Sequence, residues 1–213
     1  CKIIETSVCV SNDVVFVNSF TDIFVEENAY LRHAHFQRGN ANERWVVHTQ
    51  VNQAQNSRYD NYLVTLPKAD LVRNNLNVEL NGKNTETHLY GLYLVSDKHL
   101  VDNHSIVNHK FPNCESNQLY KGVILDGGHG VFNGKIYVQR PAQKTNAFQQ
   151  NNNLLFSPNA TINSKPQLEI FADDVKCSHG STVGQFNEES LFYLRSRGIG
   201  EETARSLLVN AFA

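Results

Sequence analysis

Hydrophobic and polar residues alternate in short runs over most of the chain, which is the pattern of half-buried β-strands. Five such runs lie at residues 14–17, 21–25, 44–51, 89–95 and 134–138, and residues 166–184 predict a further strand. Asn-Gly pairs, the strongest short hairpin signal, are few: Asn81-Gly82 and Asn133-Gly134. An antiparallel meander would be expected to contain more of them, so the pattern favours strands that run parallel.

A weak internal repeat supports a solenoid. Residues 87–94 resemble residues 117–124, and residues 145–148 and 164–168 follow at comparable steps. Repeats of a few strands each are typical of solenoids, and the abundant Asn residues suit coil corners, where their side chains can stack in hydrogen-bonded ladders. We therefore predict an all-β fold, a parallel β-helix from about residue 3 to residue 183, with residues 1–184 as its core. An antiparallel sandwich is the alternative.

The tail of the chain has a different character. Asn187 is a good N-cap, two glutamates follow it in the positive first turn, and Gly198 is placed to end the helix. A second apolar stripe begins near Glu201. We predict helices at residues 187–197 and 201–212, within a helical segment at residues 185–213 packed at one end of the solenoid. This segment either caps the open edge of the solenoid or docks a partner.

Composition narrows the function classes. The formal net charge of −2 gives no basic footprint for nucleic acid, and no apolar run approaches the about 20 residues of a membrane-spanning helix. Four cysteines without close spacing indicate neither a disulfide scaffold nor a zinc finger, and they suit a reducing cytoplasm. The chain starts within a strand pattern, so a fragment of a longer protein is expected.

Cys177 and His179 are the strongest candidates for chemistry. Residues two apart on a strand share a face, so the thiol and the imidazole are predicted to project together. The pair could hold a soft metal, poise a nucleophile, or be a plain buried thiol beside a hydrogen-bonded histidine. Two ligands are too few for a closed metal site, so any metal here must be completed by another chain. Lys176 is expected to favour the thiolate modestly.

Other motifs carry weaker signals. Asp173 and Asp174 face opposite sides if extended, so they do not fit the paired carboxylates of a β-helix carbohydrate-active enzyme, although that class stays open as an alternative. The glycine-rich residues 127–130 predict a tight turn. His33 and His35 share a face and are predicted to be half-exposed.

Several segments, taken in order, resemble the SufB/SufD family of iron–sulfur cluster assembly proteins, and most closely its SufD branch. These segments are residues 111–122 (FPNCESNQLYKG), 129–138 (HGVFNGKIYV), 142–147 (AQKTNA), 165–170 (KPQLEI), 172–180 (ADDVKCSHG) and 191–199 (LFYLRSRGI). The resemblance is dense from about Leu71 to the end and thinner before it.

The resemblance implies a right-handed parallel β-helix and a non-catalytic scaffold that pairs edge to edge with SufB and binds the SufC ATPase. Candidates for the ATPase contact in the helical segment are Tyr193, Arg195, Arg197 and Leu208. The functional histidine of the SufD branch falls on His179, with Cys177 as its neighbour, as candidate ligands of a transient cluster shared with SufB. Asn151 falls about where SufB has its cluster-building cysteine, so this chain is not expected to accept sulfur.

Three expectations stay open at this stage. No stably bound cofactor is expected on this chain alone, and a flavin in the full assembly is undecided. The isolated chain could pair with a second copy of itself. An inert structural solenoid is the remaining alternative.

Overall fold

The computed structural model describes residues 1–8, 13–66 and 68–213, which form thirteen strands followed by two helices. The strands are β1 (Lys2–Val8), β2 (Val15–Val25), β3 (Tyr30–Arg38), β4 (Glu43–Gln53), β5 (Arg58–Thr65), β6 (Leu71–Leu80), β7 (Glu86–Val95), β8 (Leu100–His109), β9 (Glu115–Ile124), β10 (His129–Val138), β11 (Thr145–Leu155), β12 (Thr161–Ile170) and β13 (Val175–Gln185). The helices are α1 (Glu188–Ser196) and α2 (Glu201–Phe212).

Successive strands alternate between two sheets. Sheet A contains the odd-numbered strands in the order β1 to β13, and sheet B contains the even-numbered strands from β12 to β2. Neighbouring strands pair in parallel throughout both sheets, for example β7 with β9 and β8 with β10. The predicted parallel β-helix is therefore confirmed, and the antiparallel sandwich is wrong for the described chain.

The alternating pattern arises because each strand has one face in the solenoid interior and one in solvent. Inward residues such as Val51, Leu89 and Phe132 are fully buried, and the residues between them are partly or fully exposed. Parallel strands covered by helices on both faces would instead give continuous apolar runs.

Asparagine ladders hold the corners, as predicted. Asn28, Asn56 and Asn84 have φ values of 61°, 56° and 57°, the left-handed backbone that Asn tolerates better than most residues. The Asn56 amide donates to Asn28 Oδ1 at 2.9 Å, and the Asn84 amide donates to Asn56 Oδ1 at 3.0 Å. Each corner side chain therefore fixes the stacking of one coil on the next.

The repeat noticed in the sequence is one residue out of register. Aligning residues 87–94 with 117–124 places Leu89 on Leu119, whereas the sheet pairs Leu89 with Gln118. Coil length also varies: Asn28 and Asn56 are 28 residues apart, but the bonded pair His129 and Thr161 are 32 apart. A repeat of variable length has no fixed period, which is why the sequence signal is weak.

The predicted single strand at residues 166–184 is wrong. It contains the end of β12, a turn, and most of β13, which belong to different sheets. Both Asp173 and Asp174 lie exposed in that turn, so they do not face opposite sides of an extended strand. The turn reverses no strand; it carries the chain from sheet B to sheet A.

The two predicted helices are confirmed. The Asn187 side chain accepts the backbone N–H groups of Glu189 and Ser190, and Gly198 follows α1 with φ of 85°. Their predicted position at the end of the solenoid is wrong for α2, because Lys121 Nζ on β9 donates to the backbone oxygens of Phe212 and Ala213 at 2.8 and 3.3 Å. The helix thus ends two sheet-A strands before β13.

No helix of the described chain has the length and apolarity to span a membrane.

His109 should make the fold sensitive to acid. Its ring is fully buried on the inner face of β8, where Nε2 lies 2.9 Å from Ser116 Oγ and Nδ1 has no partner within the described residues. Burial lowers the pKa of His109 to about 3 from 6.5. The unfolded chain therefore binds more protons below pH 6.5, so stability falls as the pH is lowered from there, by about 2.5 kcal/mol by pH 4.5.

Urea unfolding at pH 7.0 and pH 4.5 would measure this loss in the wild type and in His109→Gln. The variant keeps a polar group near Ser116 but cannot titrate, so it should lose less stability between the two pH values than the wild type. Equal losses in both proteins would show that His109 does not carry the effect.

Candidate functional site

The last strand of sheet A has an open edge. β13 pairs with β11 on one side, and within the described residues no strand lies on its other side. All five residues from Ser181 to Gln185 are exposed, and the strand has eleven residues without a proline. Such an edge presents unpaired backbone N–H and C=O groups that can accept another strand.

Cys177 and His179 share the inner face of this strand, as predicted. In the β11–β13 register Cys177 lies beside Ala147 and His179 beside Gln149, both of which are buried in the interior. The intervening Ser178 is exposed and pairs in register with the outward-facing Phe148. Thiol and imidazole therefore line the open end of the interior.

The two side chains have different surroundings. Cys177 is half-buried against a small apolar cluster that includes Ile136, Ala147 and Leu168. Burial raises the pKa of the Cys177 thiol, opposed in part by a backbone hydrogen bond to Ala147. The expectation that Lys176 favours the thiolate is wrong, because Lys176 projects from the opposite face and the burial effect dominates.

His179 is exposed, and its ring makes no hydrogen bond to any other described residue. Among the described residues no three His, Cys, Asp or Glu side chains are grouped so as to hold a metal ion. His179 can thus offer a lone pair at the edge, but a complete metal shell there would need donors from outside this chain.

Asn151 lies two positions from Gln149 on the same inner face and is fully buried. Its Oδ1 accepts from Asn153 Nδ2 at 2.7 Å and from Ser164 Oγ at 2.8 Å, and its Nδ2 donates to the Tyr120 carbonyl at 3.2 Å. The Asn151 amide is therefore held in the interior by these hydrogen bonds. That this chain does not accept sulfur stays a prediction.

The other candidate histidines lie far from this edge. His33 and His35 are buried, not half-exposed, and they stack with ring centroids 6.3 Å apart on the inner face of β3. The Glu5 carboxylate approaches their Nε2 atoms at 3.2 and 3.7 Å. The predicted tight turn spans residues 125–128, with Gly127 at φ of 67°, and His129 and Gly130 already belong to β10. The remaining cysteines differ: Cys114 is buried, Cys1 is exposed, and Cys9 lies outside the described residues.

Three of the four residues predicted to contact an ATPase are exposed. Tyr193 and Arg195 lie on the surface of α1, and the Arg197 guanidinium sits 5.2 Å from the centre of the Tyr193 ring, whereas Leu208 is half-buried. Sequence reasoning missed Phe192, which is 74% exposed beside Tyr193. Phe192 lies outside the apolar stripe of α1, because Leu191 occupies the buried side of the helix. That position was the feature of the sequence that could have indicated an exposed ring.

Comparisons with known proteins assign the chain to a family. The family model described as "SUF system FeS cluster assembly, SufBD core domain" matches residues 1–212. The chain belongs to the SufBD core family. An iron–sulfur cluster assembly SufBD family protein of Synechocystis is 39% identical over 198 residues, which cover 93% of this chain and 44% of that protein.

Two further relatives are named more specifically. The iron–sulfur cluster assembly protein SufD of Escherichia coli is 36% identical over 211 residues, covering 99% of this chain and 50% of that protein. The chloroplastic protein ABCI7 of Arabidopsis thaliana is 37% identical over 198 residues, covering 92% of this chain and 42% of that protein. This SufBD core chain therefore spans about half the length, or less, of the curated relatives it matches.

Proposed function

We propose that this chain is the core of a SufD-type, non-catalytic scaffold subunit for iron–sulfur cluster assembly. It pairs with SufB through the open edge of β13 and offers His179 to a cluster built at that junction, and α1 and α2 dock the SufC ATPase. The observation that carries the proposal is the position of His179 at the open end of the interior, on a strand edge that no other described strand pairs with.

Edge pairing follows from ordinary sheet chemistry. A partner strand placed against β13 would satisfy its free backbone groups, and alternate side chains of the two strands would meet on the inner face. His179 and Cys177 would then lie at the junction, where SufB could supply the remaining ligands. A second copy of this chain could use the same edge when SufB is absent.

The donor set suits iron. Imidazole and thiolate are both good iron ligands, but the raised pKa of Cys177 keeps its thiol protonated until a metal displaces the proton. His179 is therefore the first ligand and Cys177 a secondary one. The cluster is cargo in this proposal and not a resident cofactor, and the chain is assigned no flavin site.

Two rival functions have less support. A carbohydrate-active enzyme needs two carboxylates that face one bond, and Asp173 and Asp174 instead lie exposed in a turn. An inert solenoid would leave the exposed ring of His179 without a role.

The free thiols of Cys1, Cys114 and Cys177 suit a reducing compartment. This is either the cytoplasm or, by analogy with the Arabidopsis relative, a plastid.

Co-expression of the full-length protein with SufB and SufC of the same organism, with a tag on this subunit, tests the partnership. Recovery of both partners at fixed stoichiometry is expected. Recovery of a homodimer alone would contradict the SufB pairing, and recovery of SufB without SufC would contradict the docking role of the helices.

The exposed aromatic pair on α1 should carry much of the ATPase contact. Replacing both Phe192 and Tyr193 with alanine is expected to weaken SufC binding by tenfold or more, because exposed aromatic residues are frequent hot spots of interfaces. Isothermal titration with purified SufC would measure it. Phe111→Ala is the matched control, since Phe111 is 44% exposed on a loop of the solenoid; equal affinity of both variants would refute the assignment.

A further inference from the structure

A column of hydrogen-bonded side chains runs through the interior towards the open edge. Gln118 Nε2 on β9 donates to Ser105 Oγ at 2.5 Å, and Gln149 Nε2 on β11 donates to Gln118 Oε1 at 2.8 Å. All three residues are at least 98% buried. Because each amide donates towards the preceding coil, the column has a direction, with its free acceptor at the β13 end.

That acceptor is Gln149 Oε1, which is buried and has no hydrogen-bond partner among the described residues. A buried carbonyl oxygen without a partner is unfavourable, so a neighbouring donor is expected in the working state. The next residue along the column is His179, the register partner of Gln149 on β13. His179 lies on the same inner face, and its ring carries an N–H that can act as a donor.

The position of the Gln149 amide is enforced by its surroundings. A Cβ atom on Gly134, in the opposite sheet, would lie 2.4 Å from Gln149 Nε2 and 2.9 Å from its Cδ. Glycine at this point of β10 therefore leaves a space that the amide fills. Gly134 and Gln118 thus hold the Nε2 side of the amide, which restricts the rotation that would move its oxygen.

We propose that Gln149 is a positioning residue for His179: its Oε1 accepts the N–H of one ring nitrogen and leaves the lone pair of the other directed to the open edge. This inference rests on the proposed role of His179 as a cluster ligand. Histidines that bind metals usually donate their second nitrogen to a carbonyl or carboxylate, which selects the tautomer and raises the basicity of the ligating nitrogen.

The tautomer of His179 in the full chain tests the proposal without any metal. Nitrogen-15 NMR of histidine-labelled protein, at a pH where the ring is neutral, should show His179 as one tautomer in the wild type. Gln149→Met fills a similar volume but removes the acceptor, so a mixture of the two tautomers is expected. Gln149→Glu, which keeps an oxygen in that place, should retain a single tautomer. If Gln149→Met proves too unstable to study, Gln149→Leu, which also lacks the acceptor, takes its place.

Ser105→Ala is the control, since it breaks the far end of the column without touching Oε1 and should leave the His179 tautomer unchanged. A tautomer mixture in the wild type, or the same spectrum in wild type and Gln149→Met, would overturn the positioning role. Cluster maturation in cells separates this result from the proposed function. Normal cluster maturation in cells that carry His179→Ala would reject the ligand role, whatever the tautomer. A maturation defect in His179→Ala together with normal maturation in Gln149→Met would reject only the positioning role.

Discussion

Replacing His179 with alanine is expected to reduce cluster maturation in cells at least tenfold while leaving the protein folded and its complex intact. The imidazole is exposed and makes no hydrogen bond to a described residue, so its loss opens no core cavity. Stability should fall by about 1 kcal/mol or less, the scale of one hydrogen bond to Gln149 Oε1. The effect on maturation should be large because even the loss of an outer-shell partner of a metal ligand costs about 10–100-fold.

Ser178→Ala is the matched control, because Ser178 is the next residue of the same edge strand and points away from the interior. Activity of an iron–sulfur reporter enzyme should be measured beside the yield of the co-purified complex. Cys177→Ala distinguishes two roles of the thiol: a small defect indicates packing against the apolar cluster, and a defect as large as that of His179→Ala indicates a second ligand. Normal maturation in His179→Ala would discard the shared-ligand mechanism, and a collapse in soluble yield would point to a structural role.

Replacing Phe132 with alanine should give the largest loss of stability, about 3–5 kcal/mol. Its side chain is fully buried on the inner face of β10, with the ring centre 5.2 Å from that of Tyr120 across the interior. The space cannot collapse easily, because both sheets are held in register by their ladders and the interior is close-packed.

Phe148→Ala is the control for this prediction, since Phe148 points outward from β11 and is 42% exposed. Urea unfolding of both variants at neutral pH would provide the comparison, with the control losing about 1 kcal/mol or less. Similar losses in the two variants would mean that outer and inner faces contribute equally, which the solenoid architecture forbids.

Local patterns in the sequence were sufficient for the type of fold. Alternation marked the strands, the scarcity of Asn-Gly pairs favoured parallel pairing, and Asn187 with Gly198 bounded α1 to within a residue. The common face of Cys177 and His179 also followed from the two-residue period of a strand. These features depend on residues a few positions apart, so they can be seen without knowledge of the folded chain.

The tertiary structure alone decided which strands face each other and what surrounds each candidate. Residues 166–184 alternate without a clear break, and only the assignment of β12 and β13 to different sheets separates them. The repeat was one residue out of register because coil length varies, and a slip of one residue exchanges the inner and outer faces. The alignment of Gln149 with His179, 30 residues along the chain, likewise exists only once the coils stack, since the burial, hydrogen bonding and pKa of a group depend on neighbours that are distant in sequence.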